Sequence, residues 1–138
     1  MPRLVTYEEA SRALPDVERI IRRLRRVRDE ALGLRTRLEG LWAALEREEA
    51  SLETIAAEQR RLDALQEEFA ALVDELERHG AILRDLDLGL VDFLSLAGQV
   101  QIYLCWRVGE DAIRYWHGLA EGYAGRKPLS ALPGRRRH

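Results

Sequence analysis

A short segment near the end of the chain concentrates the residue types that can do chemistry. The segment YLCWRVGEDAIRYWH, residues 103–117, contains the only cysteine of the chain, two of its three tryptophans and one of its three histidines. Thiolate, imidazole and carboxylate groups bind divalent metals, and they also serve as nucleophiles, bases and ligand-binding groups. The segment therefore predicts one of three kinds of site: a metal site, a reactive thiol or a ligand pocket.

The first hypothesis is a divalent-metal site. Its candidate ligands, besides the thiol of Cys105, are Asp85, Asp87, Asp92, Glu110, His117 and Glu121. Their spacing matches neither a zinc ribbon nor a two-histidine helical motif. If residues 110–121 are helical, Glu110 and His117 lie about 10 Å apart along the axis, so that only His117 and Glu121 can share an ion. In the alternative, the aspartates cap turns and Glu110 pairs with Arg114.

Two further hypotheses use the same segment. In one, Cys105 is a reactive thiol, with Arg107 favouring the thiolate and His117 acting as a base; its alternative is a small apolar filler. In the other, an anion or small-ligand pocket is formed by Cys105, Arg107, Arg114, Trp116 and Arg126. The alternative to that pocket is that the tryptophans pack the strands against the helix ends, with each indole N–H bound to a carboxylate.

The composition limits the class of protein. A chain of 138 residues that is 46% hydrophobic and 33% charged fits one domain with much exposed helix surface. No apolar run approaches the roughly 20 residues that span a bilayer, and the N-terminus lacks an apolar secretory stretch. A single cysteine suits a reducing compartment. We therefore expect a cytoplasmic protein without membrane contact, and the net charge of −2 makes nucleic acid an unexpected partner.

The elements that must position the segment begin with helices. Thr6 and Glu9 form a capping box, which predicts a short N-terminal helix, and Pro15 is expected to open a second helix. Apolar residues then recur in heptads over residues 17–45, and a second apolar series covers residues 55–76. The heptads predict long helices that pack through a narrow apolar seam.

The two heptad series favour an antiparallel hairpin joined near residues 46–51, where Ser51 can cap the second helix. The rival is one unbroken helix, because the apolar phase is nearly kept across the junction. Charge favours the hairpin: residues 15–37 have eight arginines against four acidic residues, and residues 46–79 have eleven acidic residues against four arginines. The basic stripe can pair with the acidic helix, or alternatively bind phosphates.

After Gly80, a good helix stop, the chain changes character. AILRDLDLGLVDF and QVQIYLCWR are rich in β formers, with a turn at LAGQ, and predict a β-hairpin. In its second strand Leu104 and Trp106 share the buried face, whereas Cys105 lies with Arg107 on the other face.

The end of the chain completes the predicted fold. EDAIRYWHGLAEGY predicts a short C-terminal helix, and the basic residues 124–138 predict a mobile tail. The predicted class is α+β: a short N-terminal helix and a long antiparallel, coiled-coil-like α-helical hairpin over residues 1–80, followed by a small β-hairpin plus the short C-terminal helix over residues 81–123 in the same domain.

Four segments resemble a known bacterial family. YEEASRALPDVERI, DLDLGLVDF, LCWRVGEDAIRYWH and GYAGRKPL are similar to the family called domain of unknown function 2203, and the resemblance covers nearly the whole chain. It implies a helical hairpin with a variable loop followed by a β module, and it implies no established activity. The chain has Leu94 and Asp111 where the family pattern often has proline, so the resemblance leaves these two loop shapes open.

The leading functional expectation is an interaction or scaffolding protein. A two-helix hairpin hides only part of its apolar surface, and two hairpins can pair into a four-helix bundle. Apolar residues outside the seam, Leu32, Trp42, Ala43 and Ala44, therefore predict a homodimer, with another protein as the unknown partner. The alternative is a metal- or small-anion-binding protein, or an enzyme, that uses the Asp, Cys, Glu and His side chains of the C-terminal segment with a divalent metal as cofactor.

Overall fold

The computed structural model describes residues 3–133. Two helices, α1 (Tyr7–Glu46) and α2 (Leu52–Arg78), precede five strands, β1 (Ala81–Asp85), β2 (Leu90–Ala97), β3 (Val100–Arg107), β4 (Tyr115–His117) and β5 (Lys127–Pro128). The strands form one antiparallel sheet in the order β1-β2-β3-β4-β5. The chain divides into a sheet unit, which combines the chain up to Ile21 with the chain from Asp74 onward, and a hairpin unit, Arg22–Val73. The predicted α+β class is confirmed.

One continuous helix replaces the two helices predicted before the hairpin turn. The capping box is present, because the Thr6 amide donates to Glu9 Oε1 at 2.9 Å and the Glu9 amide donates to Thr6 Oγ1 at 3.1 Å. The predicted start of a second helix at Pro15 is wrong, since Pro15 lies inside α1. Proline removes one helical hydrogen bond. However, Ala10 and Val17 on either side are fully buried, and such tertiary packing outweighs local propensity.

The hairpin unit confirms the predicted break between the long helices. α1 ends at Glu46 and α2 begins at Leu52, which rules out the unbroken helix. Ser51 acts as the predicted cap, accepting a hydrogen bond on Oγ from the Thr54 amide at 3.2 Å. Glu48, in the turn, has a φ of 60°, the left-handed conformation that helps to reverse the chain.

The interior of the hairpin unit is apolar and its surface carries ion pairs. The buried cluster consists of Leu34, Leu38, Ile55 and Leu62. The predicted attraction between helices of opposite charge is present in two pairs, Arg23 with Glu68 and Arg37 with Glu58. Within residues 3–133, no helix combines the length and the apolar character that a membrane crossing requires.

The sheet is larger than the predicted β-hairpin. The segment expected to form its first strand contains two strands, β1 and β2, because a turn interrupts it at Gly89, which has a φ of 67°. Asp85 stabilises this turn by accepting a hydrogen bond on Oδ1 from the Leu88 amide at 2.9 Å. The predicted hairpin itself is confirmed: β2 pairs with β3 around Gly98, whose φ is 62°.

The predicted short C-terminal helix is wrong, because residues 115–117 form β4 against β3. A helix of this length is marginal without tertiary packing, and Gly118 and Gly122 weaken it further. Pairing with β3 satisfies the backbone instead and buries Trp116 opposite Leu104. Within the predicted tail, residues 124–133 contain β5 and a turn of 3-10 helix at Leu129–Ala131; residues 134–138 lie outside the described residues.

The strands β2, β3 and β4 present two different faces. One face consists of buried apolar side chains: Val91, Phe93, Leu104, Trp106 and Trp116. The alternation predicted for β3 is confirmed at Leu104 and Trp106, but Cys105 on the opposite face is buried as well. The indole N–H groups donate to backbone carbonyls rather than to the predicted carboxylates: Trp106 Nε1 binds the oxygen of Glu110 and Trp116 Nε1 that of Pro128, both at 3.1 Å.

Candidate functional site

The second face of the sheet brings together one polar side chain from each of three neighbouring strands. Asp92 on β2 lies directly opposite Cys105 on β3, and His117 on β4 lies opposite Tyr103, two residues before Cys105. Because side chains alternate along a strand, all of them share this face. A carboxylate oxygen, the thiol sulfur and an imidazole nitrogen of the three lie within 4.8 Å of one another. The cluster is buried, with 2% of Asp92, 0% of Cys105 and 2% of His117 exposed.

The orientation of His117 limits where its protons can be. Its Nδ1 lies 2.9 Å from the Gly118 carbonyl oxygen, and its Nε2 lies 2.9 Å from Asp92 Oδ1. A carbonyl oxygen only accepts hydrogen bonds, so Nδ1 is the donor. In a neutral imidazole, Nε2 then directs a lone pair at a carboxylate, which also only accepts. The contact is therefore satisfied by a proton shared between Nε2 and the carboxyl group, or by a metal ion bound to both atoms.

The other oxygen of Asp92 is held by an arginine. Arg84 Nε donates to Asp92 Oδ2 at 2.9 Å, and the Arg84 guanidinium stacks over the Tyr103 ring at 4.9 Å from its centroid. The Tyr103 and His117 rings are in contact, with centroids 5.4 Å apart. These contacts hold Asp92 and His117 in fixed orientations, leaving Asp92 Oδ1 directed at the cluster.

The environment of Cys105 disfavours a free thiolate. Burial raises the pKa of the thiol to about 12, and the Asp92 carboxylate acts in the same direction, whereas Arg126 opposes them. Arg107 was expected to favour the thiolate form of Cys105, but its side chain donates to the Tyr123 hydroxyl at 3.2 Å. The thiol therefore keeps its proton at neutral pH. This does not fit the hypothesis of a reactive cysteine, whose nucleophile is the thiolate.

Four of the predicted metal ligands do not join the cluster in the described part of the chain. Asp85 caps the turn before β2, as the alternative predicted, and Asp87 lies in that same turn. Glu110 accepts a hydrogen bond on Oε1 from the Arg107 backbone amide and another on Oε2 from Arg126 Nη2, both at 2.8 Å.

Glu121 accepts on Oε1 from the Gly118 amide at 2.9 Å and from Lys127 Nζ at 2.7 Å. Its predicted sharing of an ion with His117 required a helix, and the chain instead leaves β4 at His117. The expected Glu110–Arg114 pair is also absent, because Arg114 pairs with Asp111 at 3.1 Å.

The predicted anion pocket is divided by the sheet. Trp116 lies on the apolar face, opposite to the face that carries Cys105, and Arg114 points to Asp111. Arg126 does lie beside Cys105, but it forms a bidentate pair with Glu110 and stacks on Tyr115 and Tyr123, at 4.0 and 4.4 Å from the ring centroids. Its charge is thus already matched within the protein.

A pocket of about 400 Å³ adjoins the cluster on one side. Asp92 and His117 form part of its wall together with Arg84, Leu90, Leu119, Glu121 and Tyr123, among others. The pocket gives the cluster an approach from outside, although each of its three members is almost fully buried.

Sequence reasoning named Asp92, Cys105 and His117 within a larger set of candidate metal ligands but did not single them out as a group, and it missed Arg84 and Tyr103. One signal was available. Each of the three clustered residues has a large buried aromatic as an immediate neighbour, Phe93, Trp106 and Trp116 respectively. In strands, such neighbours point to opposite faces, so the three polar residues had to share a face once residues 115–117 were recognised as a strand.

Comparison with known proteins adds a family but no reaction. A family model described as "Uncharacterized conserved protein (DUF2203)" matches residues 3–129. The match includes both helices, all five strands and the three clustered side chains. No curated protein and no solved structure matches the chain.

Proposed function

The chain belongs to the DUF2203 family, and from the geometry of its own residues we propose that it binds a transition-metal ion, best matched by zinc, through Asp92, Cys105 and His117. One observation carries the proposal. His117 Nε2 faces Asp92 Oδ1 at 2.9 Å while Nδ1 is committed to the Gly118 carbonyl. A metal ion bound to both atoms would satisfy this contact and would also take up the Cys105 sulfur, which lies within 4.8 Å of them.

The donor set favours zinc over harder ions. Carboxylate, thiolate and imidazole are its usual protein ligands, whereas magnesium and calcium select oxygen. A metal-bound histidine typically donates its other ring N–H to a carbonyl or a carboxylate, which is what His117 does toward Gly118. Three protein ligands leave a fourth tetrahedral position open, as in catalytic rather than structural zinc sites.

Metal binding requires a small local movement and the loss of one proton. Two ligand atoms at about 2.1 Å from a tetrahedral ion lie roughly 3.4 Å apart, so the 2.9 Å contact between Asp92 and His117 must open slightly. Cys105 must become a thiolate, because only the thiolate is a strong zinc ligand. The apparent affinity for zinc should therefore increase with pH.

The test is zinc binding to protein purified without a metal-affinity step and then stripped with a chelator. We expect calorimetry and elemental analysis to give one ion per chain. Cys105→Ser and His117→Gln should each weaken binding by about a hundredfold or more, since each removes a ligand. His79→Gln and Asp111→Asn, outside the cluster, should bind like the wild type, and circular dichroism checks that every variant is folded. Substoichiometric binding, or equal binding by the His117 variant, would refute the proposal.

A second candidate function, self-association, is supported by the surface of the hairpin unit. Leu32 and Trp42 each remain 52% exposed, and an apolar groove of about 330 Å³ lies along Val27, Ala31 and Phe69, among others. A second copy is the matching occupant, because the basic residues 15–37 of α1 and the acidic α2 in one copy complement those of the other under two-fold symmetry.

Sedimentation at micromolar concentration tests this second candidate. We expect a dimer that Trp42→Glu dissociates, because the substitution places a charge in the apolar contact. Val100→Glu is the matched control, since Val100 is a similarly exposed apolar residue, 49% accessible, in the sheet unit. A monomeric wild type would refute self-association without affecting the metal proposal.

A further inference from the structure

The pocket beside the cluster has features of a ligand site rather than of a channel for the ion. We infer, on the premise of the proposed metal site, that it binds a small organic monocarboxylate whose acidic group takes the open metal position and pairs with Arg84. The pocket volume of about 400 Å³ falls within the range of roughly 300–1,000 Å³ that is usual for small-molecule sites.

The position of the pocket defines which side of the ion a ligand can reach. Asp92 and His117 line the pocket, whereas Cys105 does not. Cys105 would then bind an ion from the side away from the pocket, and the open coordination position of an ion held by all three residues would face the pocket. A ligand in the pocket could reach that position without displacing a protein side chain.

The charges that line the pocket favour one negative charge on the ligand. A divalent ion is balanced by the Asp92 carboxylate and the Cys105 thiolate. Glu121 is balanced by Lys127, whose Nζ lies 2.7 Å from Oε1. Arg84 then remains, because the charge of Asp92, the carboxylate that it pairs with, is used by the metal. One monoanion restores neutrality.

Arg84 is suited to meet that anion. Its Nε is used by Asp92 and its side chain is 41% exposed at the pocket. A guanidinium has five N–H donors in a planar fork that matches a carboxylate. The stacking on Tyr103 holds its plane in place.

The rest of the wall favours an organic acid over a bare inorganic anion. Leu90 and Leu119 contribute apolar surface, and Tyr123 contributes an aromatic ring. Leu119 is 50% exposed, so a short hydrocarbon tail can cover it and remove that surface from water. Inorganic phosphate has no group that gains from this contact.

The experiment uses the full chain with cobalt(II) in place of zinc, since tetrahedral cobalt has visible bands that respond to its fourth ligand. Cobalt is brought to saturation in each variant before butanoate is added. We expect a saturable change of the visible bands with butanoate, and weaker responses with acetate and with inorganic phosphate. The inference would be overturned if millimolar butanoate, at 100-fold molar excess over the protein, gave no response. Tighter binding of phosphate than of butanoate would overturn it as well.

Variants separate this inference from the metal proposal. Arg84→Gln should weaken butanoate at least tenfold and Arg84→Lys by less, whereas Arg114→Gln, the matched control, should bind like the wild type. Leu119→Trp should narrow the pocket and weaken butanoate binding, while Leu96→Trp, outside the pocket, should not.

Equal butanoate binding by Arg84→Gln would refute the role of Arg84. Absence of the sulfur-to-cobalt charge-transfer band would refute the metal site itself, and an intact band without a butanoate response would refute only the carboxylate.

Discussion

The two faces of β2, β3 and β4 carry opposite kinds of side chain on the same three strands. Phe93, Trp106 and Trp116 fill one face with apolar volume, and their immediate neighbours place a carboxylate, a thiol and an imidazole on the other. Both faces are buried, so exposure does not distinguish them. The difference lies in how each face is satisfied. The first is satisfied mainly by apolar packing, with the indole N–H groups bound to backbone carbonyls, and the second by polar contacts that a proton or a metal ion completes.

This difference has an energetic consequence. Burying apolar surface stabilises the fold directly, whereas burying polar and charged groups costs free energy unless every group is paired. The apolar face therefore supports a cluster that contributes less to stability by itself. Variants on the two faces should differ in stability, in response to metal and in response to pH.

The largest effect is expected on the apolar face. Trp106→Ala should reduce the free energy of unfolding by about 3–5 kcal/mol, because it removes a buried aromatic and leaves a cavity. Val100→Ala truncates an apolar side chain of the same sheet that is 49% exposed, and it should have little effect. Urea unfolding of the metal-free proteins measures both. Similar losses at Trp106 and Val100 would show that the apolar face is not the main source of stability.

The next effect distinguishes the polar face. Zinc at one hundred times its dissociation constant should raise the free energy of unfolding of the wild type by about 2.7 kcal/mol, because it binds the folded state. Val100→Ala should gain the same increment, and His117→Gln should gain almost none. Thermal or urea unfolding with and without zinc provides the comparison. An equal gain by His117→Gln would place the ion elsewhere.

The helical half of the fold could be read from the sequence because its signals are local. The Thr6–Glu9 capping box, the Ser51 cap and the heptads specify helix ends and faces within a few residues. Pro15 was misread because its tolerance depends on side chains such as Val17 that are buried by distant parts of the chain. Helix propensity alone predicts a helix boundary at Pro15, and tertiary packing overrides that preference.

The polar cluster could be read only in part, for the opposite reason. Its members were all named as candidates, but their grouping depends on the pairing of β4 with β3. Residues 110–121 also have a helical period, and only the long-range pairing decides between helix and strand. The error about this one element made Glu121 the expected partner of His117 at a metal site.

A smaller effect follows from the pKa of Cys105. Because the folded value is about 12 and the ordinary value is 9.0, the unfolded chain loses its thiol proton first. The contribution of the thiol to the free energy of unfolding is constant below about pH 9. Above that pH it declines by about 1.4 kcal/mol for each pH unit until the folded thiol also ionises. Chelator-treated wild type should therefore lose stability over this range faster than Cys105→Ser, whose hydroxyl does not ionise there. Parallel pH profiles of the two proteins would contradict the burial of the thiol as the cause.

The smallest effect compares one substitution at two arginines. Arg84→Gln removes a charged hydrogen bond to a carboxylate that is 3% exposed, and it should cost about 1 kcal/mol in the metal-free protein, since the partial exposure of Arg84 weakens the pair. Arg114→Gln removes a pair whose two side chains are 61% and 79% exposed, so we expect no measurable change. High salt should not strongly reduce the loss of stability caused by Arg84→Gln, because a buried carboxylate is poorly screened. Urea unfolding at low and high salt measures both variants. If the two arginines prove equivalent, the buried carboxylate does not depend on Arg84, and the polar face must be held together by the His117 contact alone.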